Sequence, residues 1–299
     1  VKIAAITNVR HDHFFTKLWL NHYASLTGSL KNCFVFIDGN DWTPEFDLSA
    51  TNAMLMRKRV TGRSHSDVTA NENHMKLAHQ LLIEDGYDIV IRADIDEFLC
   101  PDPKQTGNFK DYVQDAFEYG YLYVNGMDMV HNVAAEGPYD PANTIMSQRH
   151  HALLWSYYFK PMIYTRRFFE LENMRMIPGN HHILNGPLNI HPGLFMIHLA
   201  LFDKDFEVTR NAHKLERRRY KEYLDIRKSI FDLAAVTVPE QSGFDDVVKR
   251  ARYEIMHAEN GDLAWKPQRL RTTNFTTAYE FAEIRKMYVK LDNRFEDIL

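Results

Sequence analysis

With 299 residues, of which 45% are hydrophobic and 25% charged, the chain has the make-up of a globular protein with room for one large or two modest domains. A net charge of -4 argues against a dedicated nucleic-acid binder, and the longest nearly apolar run, GLFMIHLALF at 193–202, is far short of the roughly 20 residues a membrane helix needs. The two cysteines, Cys33 and Cys100, each lie beside a predicted buried strand and read as small core residues, which fits a reducing cytoplasm.

The opening VKIAAITNVRHD has neither the basic nor the long apolar region of a secretory signal, and it has no initiator Met, so a processed or trimmed chain is expected. VKIAAIT (1–7) is strand-like, and HDHFFTKLWLNHYASL then sets Phe15, Leu18, Trp19 and Leu26 at helical spacing. NCFVFID (32–38) is a second strand that ends at the turn signal Asp38-Gly39, and AMLMRKRV (53–60) is a third. A helix from about Thr69 to Asp85 carries Leu77, Ala78, Leu81 and Leu82 on one face, and YDIVIRA closes the series. Alternation of this kind predicts an α/β domain with a largely parallel sheet, whose ligands gather at the carboxyl ends of the strands.

Beyond Pro101 the rhythm loosens. A helix is predicted near 108–118, a strand over YGYLYVNGM (119–127), and a polar loop from about His131 to His151. Strands are predicted near FKPMIYT (159–165), MRMIPGNHHIL (174–184) and GLFMIHL (193–199). From Asp203 the chain becomes helical and charged, with helices predicted over 213–231 and near 244–258 and 276–291. No internal repeat or linker interrupts it, which suggests a catalytic domain over 1–205 and a helical C-terminal extension over 206–299.

The stretch YDIVIRADIDEFLCPDP holds the strongest chemical signal. Asp94, Asp96 and Glu97 follow directly on a buried strand, where three carboxylates repel one another unless something positive sits among them. In extended backbone, residues i and i+2 share a side, so Asp94 and Asp96 present their carboxylates together while Ile95 points into the core and Glu97 faces away. That pairing suits Mg²⁺ or Mn²⁺, hard ions that take oxygen ligands and leave positions open for phosphate. Arg92, Lys160 and Arg166 are the candidate cations.

The series AAITNVRHDHFFTKLWLNHY, FVFIDGND, YDIVIRADIDEFL, FKPMIYTRR, IPGNHHI and MIHLALFDKDF resembles the GT-A glycosyltransferases, in particular the glycosyltransferase family 2-like group with an Asp-x-Asp-Glu-Phe signature, over roughly residues 1–205. The resemblance implies a GT-A-like, Rossmann-like fold: a mixed, mostly parallel sheet flanked by helices, with a helical C-terminal extension. It further implies a nucleotide-sugar donor whose diphosphate is bridged by Mn²⁺ or Mg²⁺ to Asp94 and Asp96. On this resemblance Asp38 serves the nucleotide base, Thr7 and Asn8 border the same pocket, and His198 matches a histidine that supplies a third metal or diphosphate ligand. The acceptor is expected to be a glycan, a lipid-linked group or another hydroxyl; inversion at the sugar carbon is expected, with retention, which needs no acceptor base, left open by the resemblance.

The acceptor hydroxyl of an inverting transferase needs a base within hydrogen-bond reach. Asp128 is the first candidate, followed by Glu172 and by His181, which with His182 follows a Pro-Gly-Asn turn. The basic stretch Lys214 to Arg219 allows peripheral contact with acidic lipid in an otherwise cytoplasmic protein. Rival readings are a metal-dependent phosphatase or nucleotidyltransferase, or a non-catalytic sugar-binding module. The pair follows a late strand rather than the first, unlike haloacid dehalogenase-type phosphatases, and TNVRHDHF has no glycine, unlike the phosphate loop of nucleotidyltransferases.

Overall fold

A computed structural model describes residues 1–38, 42, 45, 47–56, 65–154, 158–172, 174–176, 180–210, 218–257 and 287–299. The chain divides into two compact units, one made of Val1–Val124 with Lys160–Met196, the other of Asn125–Phe159 with Ile197–Leu299. The class is the expected one, an α/β protein with helices packed on a mixed sheet.

In the first unit, β1 (Ile3–Val9) leads into α1 (His13–Thr27), then β2 (Cys33–Asp38), β3 (Asn52–Met56), α2 (His65–Ile83), β4 (Ile89–Arg92) and β5 (Glu97–Pro101). Asp12 starts α1 by accepting the Phe15 N–H (3.0 Å), satisfying an amide that no helical carbonyl reaches. Gly28 ends the helix at φ 80, a left-handed turn that costs a glycine little. Two short helices follow, α3 (Phe109–Tyr112) and α4 (Gln114–Tyr119), and then β6 (Tyr121–Val130). Strand order runs β3-β2-β1-β4, all parallel. Strands β1, β2 and β4 are buried nearly end to end, which is why they read as unbroken apolar runs rather than alternating ones. Helix α1 packs on β1 and β2, and α2 on β1 and β4.

Two further strands follow in this region of the sheet, the first in the opposite sense and the one beside it returning to the sense of β4. In chain order after β6 come β7 (His151–Leu154), β8 (Pro161–Tyr164) and α5 (Arg166–Glu170). Strand β8 lies antiparallel to β4, with Val90 opposite Tyr164 and Ile91 opposite Ile163, and the first part of β6 lies antiparallel to β8. The expected strand over 174–184 is instead a small antiparallel pair, β9 (Arg175–Met176) and β10 (Ile183–Leu184). Asn180 between them sits at φ 57, a conformation that asparagine tolerates better than most residues. Strand β11 (Ile190–Leu201) pairs with β5, a strand that the acidic sequence before it conceals.

In the second unit, β7 pairs antiparallel with the end of β6 (Asp128 opposite Leu153) and with β12 (Met287–Lys290). Helices α6 (Lys204–Arg210), α7 (Arg218–Val236) and α8 (Phe244–His257) supply the helical character expected there, and α8 packs on β12. The helix expected near 276–291 falls mostly outside the described residues; its last part, Met287–Lys290, is strand instead. Met287, Tyr288 and Val289 are all buried in that strand, and the β-branched and aromatic pair among them favours the pleated surface. Residues 57–60 of the third expected strand and 214–217 of the basic stretch also fall outside the described residues.

The polar loop after His131 is held by its own side chains. Glu136 accepts the backbone N–H groups of Asn132 (2.9 Å) and His150 (2.7 Å) and lies 2.7 Å from His151 Nδ1. Burial raises the Glu136 carboxyl, but these hydrogen bonds outweigh it and hold it below its ordinary value. Arg149 pairs with Asp203 at 2.6 Å. Both cysteines are buried and unbridged, as expected of core residues.

Candidate functional site

Chain order β1, β2, β3, β4 laid out in space as β3-β2-β1-β4 means that the chain leaves β1 on one side and returns on the other. Such a reversal opens a crevice at the carboxyl ends of the two strands where it occurs, here β1 and β4. Thr7 and Asn8 lie in the last half of β1, Asp38 is the last residue of β2, and Arg92 is the last of β4. Thr7 is fully buried, Asp38 is buried, and Asn8 is half-buried.

Asp94 to Glu97 form a tight turn between β4 and β5 rather than extended backbone. The Asp94 carbonyl accepts the Glu97 N–H at 3.1 Å, and the Glu97 side chain returns the bond by accepting the Asp94 N–H on Oε2, also at 3.1 Å. Glu97 is therefore the lock of the turn, fully buried, with its other oxygen paired to Lys160. Ile95 points into the core as expected, and Asp94 and Asp96 remain partly exposed, Asp94 by 36% of its side chain.

The positive charge that three neighbouring carboxylates require is present in the protein itself. Arg92 Nη2 stands 3.4 Å from Asp94 Oδ1 and Lys160 Nζ stands 3.6 Å from Asp94 Oδ2. Lys160 arrives there through strand pairing. The antiparallel register of β4 and β8, continued past Ile91 and Ile163, sets Lys160 opposite Asp94. Burial raises the Asp94 carboxyl, but Arg92 and Lys160 outweigh both burial and the repulsion of Asp96 and hold it below the usual carboxylate range.

Arg92 is itself held from behind. Its Nε–H donates to Nδ1 of His74 (3.1 Å), a buried residue of α2 whose ring also lies against Phe36. Burial and the adjacent guanidinium push the His74 imidazole down to about 3, so at neutral pH it is an uncharged acceptor with its proton on Nε2. Nothing in the sequence singled out His74, one of 15 histidines. The available signal was its place on the helix that leads into β4. Trp42 was also missed: it lies between the rings of His11 and His13, 5.5 Å from each, and its Nε1–H donates to the Asp38 carbonyl (3.0 Å).

Among the described residues no three His, Cys, Asp or Glu side chains gather as a metal cage. Two partly exposed carboxylates nevertheless fit Mg²⁺ or Mn²⁺, which commonly bind through one or two carboxylates and take the remaining positions from substrate phosphate and water. Lys160 is only 1% exposed and bonded to Glu97, so its charge reaches the crevice chiefly through Asp94. Arg166 instead pairs with Glu170 on an exposed face of α5, and Glu172 follows that helix. His181 is half-buried in the segment after Asn180, and its neighbour His182 lies 2.8 Å from the Tyr123 hydroxyl and is pushed down to about 4 by burial.

The second unit brings together two residues that the sequence places 70 positions apart: His198 Nδ1–H donates to Asp128 Oδ1 at 2.8 Å. Both are buried, and the Tyr158 ring stacks on the imidazole at 4.4 Å. Gly126 makes room for that arrangement, because a Cβ there would run into the carbonyl oxygen of Tyr158. A carboxylate on Nδ1 fixes the ring's orientation and its tautomer.

No family model matches the sequence, and no curated protein matches it significantly. Among solved structures, S. aureus TarS aligns over 82% of this chain at 10% identity with a TM-score of 0.34, and the alignment spans 45% of the TarS chain. TarS 1-349 in complex with UDP-GlcNAc aligns over 90% of this chain and 78% of that one, at 10% identity and a TM-score of 0.34. A putative glucose-1-phosphate thymidylyltransferase from Bacillus anthracis aligns over 70% of this chain and 77% of its own, at 9% identity and a TM-score of 0.25. Scores of this size do not establish a shared fold. The class rests on the molecule's own strand order: an α/β protein with a charged turn at the carboxyl ends of parallel strands. No helix among the described residues is long and apolar enough to cross a membrane.

Proposed function

We propose that the protein is a metal-dependent glycosyltransferase that moves a sugar from a nucleotide-sugar donor to a hydroxyl acceptor. One observation carries this reading: the turn at the crevice presents two carboxylates, Asp94 and Asp96, with the cations Arg92 and Lys160 within 3.6 Å of Asp94. Sugar transfer breaks the bond between the anomeric carbon and a phosphate oxygen, and negative charge builds on the departing nucleoside diphosphate. Fixed cations at that place stabilise the charge as it forms. Mn²⁺ or Mg²⁺ held by Asp94 and Asp96 would supply the Lewis acidity.

In this reading Asp38 receives the nucleotide base, with Thr7 and Asn8 beside it at the end of β1, and Arg92 faces the diphosphate. Within the first unit, His181 is the group proposed to take the acceptor proton. In the second unit Asp128 already accepts from His198, so its part is to orient that imidazole rather than to act as the base. The acceptor is a glycan, a lipid-linked group or another hydroxyl compound.

The test is a panel of nucleotide sugars incubated with Mn²⁺ or Mg²⁺, with release of nucleoside diphosphate measured for the native protein and for Asp94→Ala and Asp96→Ala. Release that needs metal, and that both substitutions abolish without lowering the melting temperature, is the expected result. Pyrophosphate release from a nucleoside triphosphate and a sugar phosphate would move the protein to the nucleotidyltransferases. Equal release by all three proteins in chelator would overturn the metal site.

A further inference from the structure

Three nitrogens of the Arg92 guanidinium face three different fates. Nε donates to His74 Nδ1 at 3.1 Å and Nη2 lies 3.4 Å from Asp94 Oδ1, while Nη1, in a residue only 4% exposed, has no hydrogen-bond partner among the described residues. A guanidinium is a rigid planar fork, so fixing the Nε edge fixes the direction of both other nitrogens. Leaving a buried charged donor unsatisfied is expensive, and that cost is met once an anionic oxygen reaches Nη1. The group that sets the direction of the fork is His74, 18 residues earlier on α2. Its ring is held by burial and by Phe36 at 5.2 Å.

We infer that His74 is a positioning residue: by accepting the Arg92 Nε–H it aims the guanidinium so that Nη2 faces Asp94 and Nη1 is presented to a phosphate oxygen of the nucleoside diphosphate. This rests on the reading of the crevice as a metal–diphosphate site. His74 touches neither metal nor phosphate, and its whole effect passes through Arg92. A hydrophobic residue of similar size would fill the same space but leave the fork free to turn.

The experiment is a double-substitution cycle read by binding of Mn²⁺ with UDP, GDP, CDP, ADP and dTDP, each by calorimetry. His74→Leu removes the acceptor, and His74→Asn restores one, because the asparagine oxygen lies close to where Nδ1 was. Loss of a hydrogen bond to a charged group predicts about tenfold weaker binding in His74→Leu. His74→Asn should recover most of the affinity, and His74→Leu should add nothing in an Arg92→Met background. Equal further loss in that background would overturn the inference, since His74 would then act by another route; so would unchanged binding in His74→Leu. A second measurement needs no ligand: the ¹⁵N resonance of Arg92 Nε–H should exchange slowly with solvent in the native protein and in His74→Asn, and rapidly in His74→Leu. Slow exchange in all three refutes the positioning contact. Slow exchange lost only in His74→Leu, with no nucleotide bound by the native protein, keeps the contact, overturns its presentation of Nη1 to a diphosphate and refutes the transferase reading.

Discussion

Replacing Glu97 by Gln tests the internal neutralisation of the acidic turn. The amide oxygen can still accept the Asp94 N–H that Glu97 accepts at 3.1 Å, so the turn keeps its lock while the charge opposite Lys160 disappears. Lys160 and Glu97 are 1% and 0% exposed, and removing one partner of a buried ion pair costs about 3–5 kcal/mol because the other charge is left without compensation. Asp94, 3.6 Å from the same ammonium, takes over part of that compensation and places the expected loss near the lower end, about 3 kcal/mol. For a chain of this size that corresponds to a fall in melting temperature of roughly 5 °C. The assay is thermal and urea unfolding of Glu97→Gln, Lys160→Met and the double variant. The double variant should recover much of the loss, because two apolar or neutral groups of similar volume carry no stranded charge. A melting temperature for Glu97→Gln within about 2 °C of the native protein, or single-variant losses that simply add in the double variant, would refute a buried, mutually dependent pair.

Other substitutions probe different parts of the molecule. Asp38→Ala should raise KM for the donor with kcat nearly unchanged, since a group that grips the base acts on ground state and transition state alike; a pure kcat defect would remove Asp38 from the nucleotide pocket. Gly126→Ala should destabilise by roughly 1–3 kcal/mol or more, because the new Cβ collides with backbone at Tyr158 rather than with a side chain that can move; urea unfolding reads this directly. His74 is pushed down to about 3 in the folded protein, so between about pH 6.5 and that value the unfolded chain takes up a proton that the folded one refuses. Stability should therefore fall with decreasing pH through this window, and His74→Asn should flatten the slope relative to the native protein; parallel pH profiles would show the imidazole to be accessible to protons.

The alternation of apolar runs with helical faces was legible because it follows from local geometry. A strand buried on both faces must be apolar along its length, and a helix covering it must be apolar every third or fourth residue. That was enough to place β1, β2, β4, α1 and α2 and to put Asp38 and Asp94 at strand ends, where ligands collect. Strands β5 and β12 escaped, one hidden behind an acidic turn and one too short for a periodic pattern to register. The pairing of i with i+2 did not extend to the geometry of the acidic stretch. Glu97 turns back on Asp94 because a buried lysine awaits its charge, and that lysine comes from 63 residues away.

The same holds for the partners of every charge that matters here. Local sequence determined that Asp94, Asp96 and Glu97 would crowd one strand end and need compensation, since Coulomb repulsion in a poorly hydrated place follows from the residue types alone. Which groups supply it depends on the insertion of β8 beside β4 in antiparallel register, which sets Lys160 opposite Asp94, and on the packing of α2 over β4, which brings His74 to Arg92. Likewise Asp128 and His198 meet across 70 residues only because the tertiary fold brings their two strand positions together. Neither register nor packing is written in any local periodicity. Both arise when the whole chain settles its buried charges and apolar faces at once, and only the tertiary structure records the outcome.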